Sequence, residues 1–258
     1  MKNRLDTLFE QKKDLLSIYF TAGFPQLSDT MPIMRALQKA GVDFVEIGMP
    51  FSDPLADGPV IQLSGIEALK NGMCTKVLLE QIKNMRSEIT MPVLLMGYIN
   101  PVMHYGVEKF AVEAEAAGVD GLILPDLPWD EYVAQYKSLF DKHNLHFIPL
   151  IAPQTPDERI RHIDAQAEGF IYTVASAGIT GNINTTVDYR TQYFERIRNL
   201  KLRNKNVIGF GIKDNASYIH ACQHADGAII GTAFVKHLKQ NGASETAVKQ
   251  FVDQIRKA

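Results

Sequence analysis

Eight short apolar, β-rich runs alternate with helical segments along this chain, and no other feature constrains its fold as tightly. The runs span 15–22, 43–49, 93–99, 121–126, 146–153, 170–176, 206–212 and 227–233. Between them lie helical patterns such as 29–41, 107–118, 130–144, 156–169 and 215–225. Asp29 and Asp214 suit N-caps, Pro156 suits a first helical turn, and Gly41 and Gly118 suit helix C-termini. Strict alternation predicts parallel strands joined by right-handed crossovers. Eight such units predict an α/β fold of the (β/α)8 TIM-barrel type, with an extra N-terminal helix over LDTLFEQKK. A doubly wound open sheet is the rival, but its GxGxxG fingerprint is missing after the first run. No linker or low-complexity tract divides residues 1–258, so a single barrel domain is expected.

Composition narrows the partners. A net charge of -2 and an isoelectric point near 6.4 give no electrostatic footprint for nucleic acid or an anionic membrane. The N-terminus lacks the continuous apolar stretch of a signal peptide, and no run reaches the roughly 20 apolar residues that span a bilayer. The two cysteines, Cys74 and Cys222, show no pairing pattern and suit a reducing compartment. A cytoplasmic location is expected.

In barrels of this kind the chemistry sits where the strands end and in the loops that follow. The second run ends in EIGMPFSDPLADGP, with a glutamate inside an apolar strand and two aspartates just beyond. Side chains alternate along a strand, so Val45, Ile47 and Met49 face the helices while Phe44, Glu46 and Gly48 point into the barrel. A buried carboxylate without a partner costs several kcal/mol, and burial raises its pKa. A structural glutamate satisfied by a neighbouring hydroxyl is the plain reading; a proton-transfer group at a strand end is the functional one. Asp53 and Asp57 lie in the following loop, where Asp-Pro and Asp-Gly are ordinary turn pairs. Beside Glu46, Asp57 is placed to offer a second carboxylate to the same pocket.

A second constellation is glycine-rich: GITG at 178–181, GFGI at 209–212 and GTA at 231–233. Glycines let backbone amides approach an anion, and a helix opening near Thr232 would present free N–H groups. The loops after strands seven and eight of a barrel are its recurrent phosphate site, although these glycines also suit tight barrel turns. Lys213 is the one basic side chain evident there. His220 and His224 stand at i, i+4, but mid-helix and with no third ligand in view, so a surface helix is the simpler reading. The expected strand interiors hold no lysine for a Schiff base, and neither HxH nor HExxH occurs. Tyr19, Tyr98 and Tyr172 fall near strand ends, where core packing and the wall of an apolar pocket are both open.

Glu46 with PFSDPLADGP, followed in order by GITG, GFGI and the GTA turn, resembles the tryptophan synthase alpha-subunit family. The likeness runs through the whole chain and includes FTAGFP at 20–25 and LMGYINP at 95–101. It implies a (β/α)8 lyase that cleaves indole-3-glycerol phosphate to indole and glyceraldehyde 3-phosphate without a cofactor or metal. It further implies Glu46 as acid/base catalyst and Asp57 as the carboxylate at the indole N–H. Gly181, Gly211, Gly231 and Thr232 would hold the phosphate, with Thr232 where serine is more usual. Tyr19, Ile61, Tyr98, Tyr172 and Phe210 would line the indole pocket, and Thr180 would belong to a closing loop. Asp53 and Pro54 would face a beta subunit that receives the indole, in an α2β2 heterotetramer. A phosphate-binding barrel acting chiefly as a regulatory partner of the beta subunit is the alternative. Another phosphosugar barrel would be expected to place a lysine or further acids at its strand ends.

Overall fold

The structure is a computed structural model and describes residues 2–175 and 186–257. Among the described residues nine strands form one sheet in which every neighbouring pair is parallel. They are β1 (Leu15–Thr21), β2 (Phe44–Gly48), β3 (Val93–Met96), β4 (Gly121–Ile123), β5 (His146–Phe147), β6 (Leu150–Ile151), β7 (Phe170–Val174), β8 (Lys205–Gly209) and β9 (Gly227–Ile230). Their spatial order is β5-β4-β3-β2-β1-β9-β8-β7-β6. The two ends of that order, β5 and β6, are consecutive in the chain, separated only by Ile148 and Pro149. The run therefore pairs with β4 at its start and with β7 at its end. Ile148 donates its amide to Leu122 O at 2.9 Å, and Tyr172 donates to Pro149 O at 2.9 Å. Nine short strands are thus the eight expected runs, with the fifth interrupted where Pro149 has no N–H to give. The sheet curls into the (β/α)8 barrel.

Helices flank the strands in the expected places, with shorter bounds: Thr30–Lys39, Val107–Ala117, Asp157–Gln166 and Asn215–Cys222. The stretch expected as one helix over 130–144 divides into Trp129–Glu131, a π-turn at Tyr132–Tyr136, and Lys137–Lys142. Tyr132 there stacks on Phe147, with ring centroids 4.1 Å apart. Asp214 caps its helix through the Ser217 amide at 2.9 Å. Asp29 stands before its helix, but its carboxylate takes the Gln26 amide at 3.0 Å instead, closing the preceding turn. Pro156 falls one residue before the first helical turn, and Gly41 and Gly118 both adopt φ of +85° past helix ends.

The N-terminal helix Arg4–Gln11 seats against the start of the strands. Phe9 meets Phe44 and Phe170 at centroid distances of 6.1 and 5.5 Å, and those two lie 5.6 Å apart. Each buried ring contributes about 1.5–3 kcal/mol of hydrophobic stabilisation and shuts water out of that end. Two buried aspartates fasten the same end. Asp43 accepts from Lys12 Nζ at 3.0 Å and from the Leu16 amide at 2.9 Å. Asp120 accepts from Arg4 Nη1 at 2.9 Å and the Val93 amide at 2.8 Å, and pairs with Arg86. With its lower end plugged by these contacts, the barrel carries the cavity that Glu46 lines at the other end, where the strands finish.

Candidate active site

Strand parity places Glu46 inside the barrel, as expected. It is fully buried, and among the described residues neither of its carboxyl oxygens has a hydrogen-bond partner. Burial pushes its pKa up to about 8. A carboxyl group in such a place keeps its proton at neutral pH. The plain reading, a glutamate satisfied by neighbours, is not what the side chain shows. Tyr19 lies next to Glu46 in register across the β1–β2 ladder. Its ring leans over Gly48, where a β-carbon would stand 2.1 Å from the Tyr19 hydroxyl oxygen. The glycine beyond Glu46 therefore makes room for the aromatic wall beside it. A matching arrangement lies across the barrel, where a β-carbon at Gly209 would stand 2.1 Å from the Tyr172 hydroxyl oxygen. Burial raises the Tyr172 pKa, with the charge of Glu46 adding to it.

Asp57 precedes the helix Pro59–Lys70, whose Pro59 occupies the first turn. Tyr98, just past β3, donates its hydroxyl to Asp57 Oδ2 at 3.1 Å. The same hydroxyl accepts the Ala56 amide at 2.9 Å. Partial burial lifts the Asp57 pKa to about 6, against the opposing pull of the Tyr98 hydrogen bond. Asp57 is thus less wet than a loop position suggests, yet mostly ionised at pH 7. Tyr98 is the pocket residue that the structure assigns differently. It is buried behind the loop and holds Asp57, and it is not among the side chains that face the cavity. Asp53 is exposed and accepts from Ser52 Oγ at 2.6 Å. Pro54 receives the Gln62 side-chain amide at 3.2 Å, and Leu55 stands 81% exposed at the loop's crest.

A further part of the rim is built after β8 and β9. Phe210 and Gly211 both take left-handed backbone, with φ of +68° and +80°. For an aromatic residue that conformation is strained and persists only where its surroundings enforce it. It turns the Phe210 ring edge-on to Tyr172 at 6.0 Å. Gly231 precedes the ten-residue helix Thr232–Asn241, and the first amides of that helix face no intrahelical acceptor. Gly181 and Thr180 lie outside the described residues.

These parts enclose one cavity of about 440 Å³. Tyr19, Glu46, Asp57, Ile61, Tyr172 and Phe210 line it together with Gly211, Gly231 and Thr232. It opens into an outer cleft of about 680 Å³ that shares Asp57, Ile61, Phe210 and Thr232. The size and the largely apolar wall suit a small aromatic ligand with an anionic tail. Ile212 and Ala233, from the GFGI and GTA segments, also line it, as do Met96, Ile229 and Lys236, which escaped the sequence reading. Of these only Lys236 had a legible signal: it follows Thr232 by four residues, one turn along the same helix face. His220 and His224 do meet, with ring centroids 5.0 Å apart. Yet among the described residues no three metal-binding side chains come together.

Comparison with known proteins gives a consistent result. Residues 5–257 match the family model described as tryptophan synthase alpha chain. A protein of that description from Flavobacterium psychrophilum is 50% identical over 253 residues, covering 98% of this chain and 99% of its own. One from Parabacteroides distasonis is 48% identical over 255 residues, covering 98% of this chain and 99% of its own. Among solved structures, tryptophan synthase subunit alpha from Legionella pneumophila superposes with a TM-score of 0.87 at 32% identity, over 100% of this chain and 98% of its own. A tryptophan synthase from M. tuberculosis gives 0.85 at 28% identity, with 98% of each chain covered.

Proposed function

The chain belongs to the tryptophan synthase alpha chain family, and on that premise we propose how its own residues perform the family's reaction. The protein is a lyase of tryptophan biosynthesis that cleaves indole-3-glycerol phosphate to indole and glyceraldehyde 3-phosphate, and its partner is the tryptophan synthase beta subunit. No helix among the described residues is long and apolar enough to cross a membrane. A cytoplasmic location, action as a single barrel domain and an α2β2 assembly belong to the proposal.

One observation carries the assignment of roles: two carboxyl groups face one cavity with their titrations pushed apart, Glu46 to about 8 and Asp57 to about 6. Around pH 7 the site therefore holds a neutral acid and an ionised base together. Protonated Glu46 delivers its proton to indole C3, and the ring electrons leave positive charge on the indole nitrogen. Ionised Asp57 accepts the N–H and stabilises that charge. The Glu46 carboxylate then takes the proton of the glycerol hydroxyl on the carbon attached to C3. That oxygen forms the aldehyde as the carbon–carbon bond breaks, and the bond pair restores the indole ring. Glu46 finishes protonated, ready for another turnover. The ring is its own electron sink, so the step needs no imine.

Tyr19, Ile61, Tyr172 and Phe210 form the indole wall in this reading, and Tyr98 acts by holding Asp57. The amides after Gly211 and Gly231 and the Thr232 hydroxyl receive the phosphate. Gly181 completes that cradle and Thr180 the closing loop, as the family resemblance implies. Asp53 and Pro54, on the exposed crest beside Leu55, face the beta subunit. The test is indole release from indole-3-glycerol phosphate, with and without a beta subunit. Wild type should turn over alone and Glu46→Gln should fall at least a thousandfold while still binding glycerol 3-phosphate. Near-wild-type turnover by Glu46→Gln would remove Glu46 from the mechanism. Turnover that exists only with the beta subunit would favour the regulatory reading.

A further inference from the structure

The charges around the cavity are segregated. Glu46 and Asp57 belong to β2 and its loop, whereas Lys213 and Lys236 line the cavity from the loop after β8 and the helix after β9. Among the described residues neither lysine side chain makes a salt bridge or a hydrogen bond. Lys239, three residues along the same helix, does: its ammonium lies 3.5 Å from Glu67. Lys213 has the neighbouring Asp214 within its field, Lys236 has no carboxylate partner among the described residues, and both line the same cavity.

The amount of charge makes the same point. A phosphate monoester carries about -1.5 to -2 at neutral pH. The helix beginning at Thr232 offers about +0.5 at its N-terminus, and the glycine amides offer dipoles but no net charge. Backbone alone leaves about 1 to 1.5 negative charges uncompensated. Two ammonium groups supply the remainder.

We propose that Lys213 and Lys236 form a two-point cation clamp on the substrate phosphate and set the selectivity for phosphorylated over unphosphorylated indole glycerol. The proposal rests on the reading of this cavity as a phosphoester site and adds the residues that recognise the dianion. Both side chains are exposed, so their attraction is screened by salt, and their contribution is to affinity and register rather than to bond breaking. Lys236 lies one helical turn beyond Thr232, so its reach extends the amide cradle outward.

The test compares the full chain with Lys213→Gln, Lys236→Gln, the double variant and Lys236→Arg. Steady-state kinetics are measured on indole-3-glycerol phosphate and on indole-3-glycerol, with inorganic phosphate as a competitive inhibitor. Each single glutamine variant is expected to raise KM for the phosphoester about tenfold while kcat changes less than threefold. The ratio of kcat/KM between phosphorylated and unphosphorylated substrate falls by the same factor, and by more in the double variant. Inhibition by inorganic phosphate weakens in parallel, and Lys236→Arg restores most of the loss. A purely structural effect would lower both substrates together and leave the ratio unmoved. An unmoved ratio in the double variant, with wild type active, overturns the clamp alone. A wild type that fails to cleave indole-3-glycerol phosphate overturns the proposed function and the clamp with it.

Discussion

The hydroxyl of Tyr98 donates to Asp57 Oδ2 at 3.1 Å, and because it also accepts the Ala56 amide it fixes the carboxylate and its backbone with one group. This hydrogen bond favours the charged form of Asp57, so it opposes the rise that burial imposes. Removing it in Tyr98→Phe should push the Asp57 pKa above about 6. The acidic limb of kcat/KM then moves to higher pH. Activity is expected to fall about three- to tenfold near pH 6.5 and less at pH 8. A pH–rate profile whose acidic limb coincides with wild type would show that Tyr98 does not govern Asp57.

For the wild-type chain, cleavage requires Asp57 ionised and Glu46 protonated at the start. With pKa values of about 6 and about 8, kcat/KM should follow a bell with its maximum near pH 7. Activity rises as Asp57 loses its proton and declines as Glu46 loses its own. A profile still climbing at pH 9 would contradict the acid role of Glu46.

Glu46 also makes stability depend on pH. Its folded pKa is raised above the unfolded value of about 4.5, so the folded chain holds a proton that the unfolded chain releases. The associated stability is fully present below pH 4.5 and declines as the pH rises through about 8. Glu46→Gln removes that slope. Denaturant unfolding should find the variant about 1–3 kcal/mol more stable than wild type at pH 7, with the gap closing toward pH 4.5. Equal stability at both pH values would mean that the side chain is not buried as an acid.

Gly48 offers a steric test. A β-carbon there would stand 2.1 Å from the Tyr19 hydroxyl oxygen, inside the packed upper barrel. Gly48→Ala must displace that ring, costing about 1–3 kcal/mol of stability and lowering kcat as the wall beside Glu46 shifts. Gly65 lies within a helix, and a β-carbon added there would meet no neighbouring side chain within 4 Å, so Gly65→Ala should not destabilise the fold. Thermal melts of the two variants separate the effects.

Much of this was legible along the chain because the governing forces are local. Strand parity put Glu46 and Phe44 inside, since each side chain of a strand faces opposite to its neighbour. Asp214 and the C-terminal glycines were readable for the same reason: a cap needs only residues within one turn. Asp29 was misleading, because a competing turn amide took its carboxylate. The tyrosines separated only in three dimensions: Tyr19 and Tyr172 face the cavity, while Tyr98 is drawn behind the loop by Asp57. Lys236 was missed because a lysine in an amphipathic helix reads as solvated surface, although the helix opening near Thr232 placed it one turn from the expected phosphate site.

The sequence by itself determined the eightfold alternation, the inward glutamate and the glycine-rich loops, and hence the family resemblance. These follow from backbone periodicity and from what each residue type allows its own φ and ψ. Only the tertiary structure decided that the fifth run splits at Pro149 as the barrel closes, that Phe9 plugs the lower end against Phe44 and Phe170, and that Glu46 has no hydrogen-bond partner among the described residues. It also brought the two acids and the two lysines to the wall of one cavity. Closure of the sheet sets which distant residues share a low-dielectric space, and that shared environment tunes their pKa values.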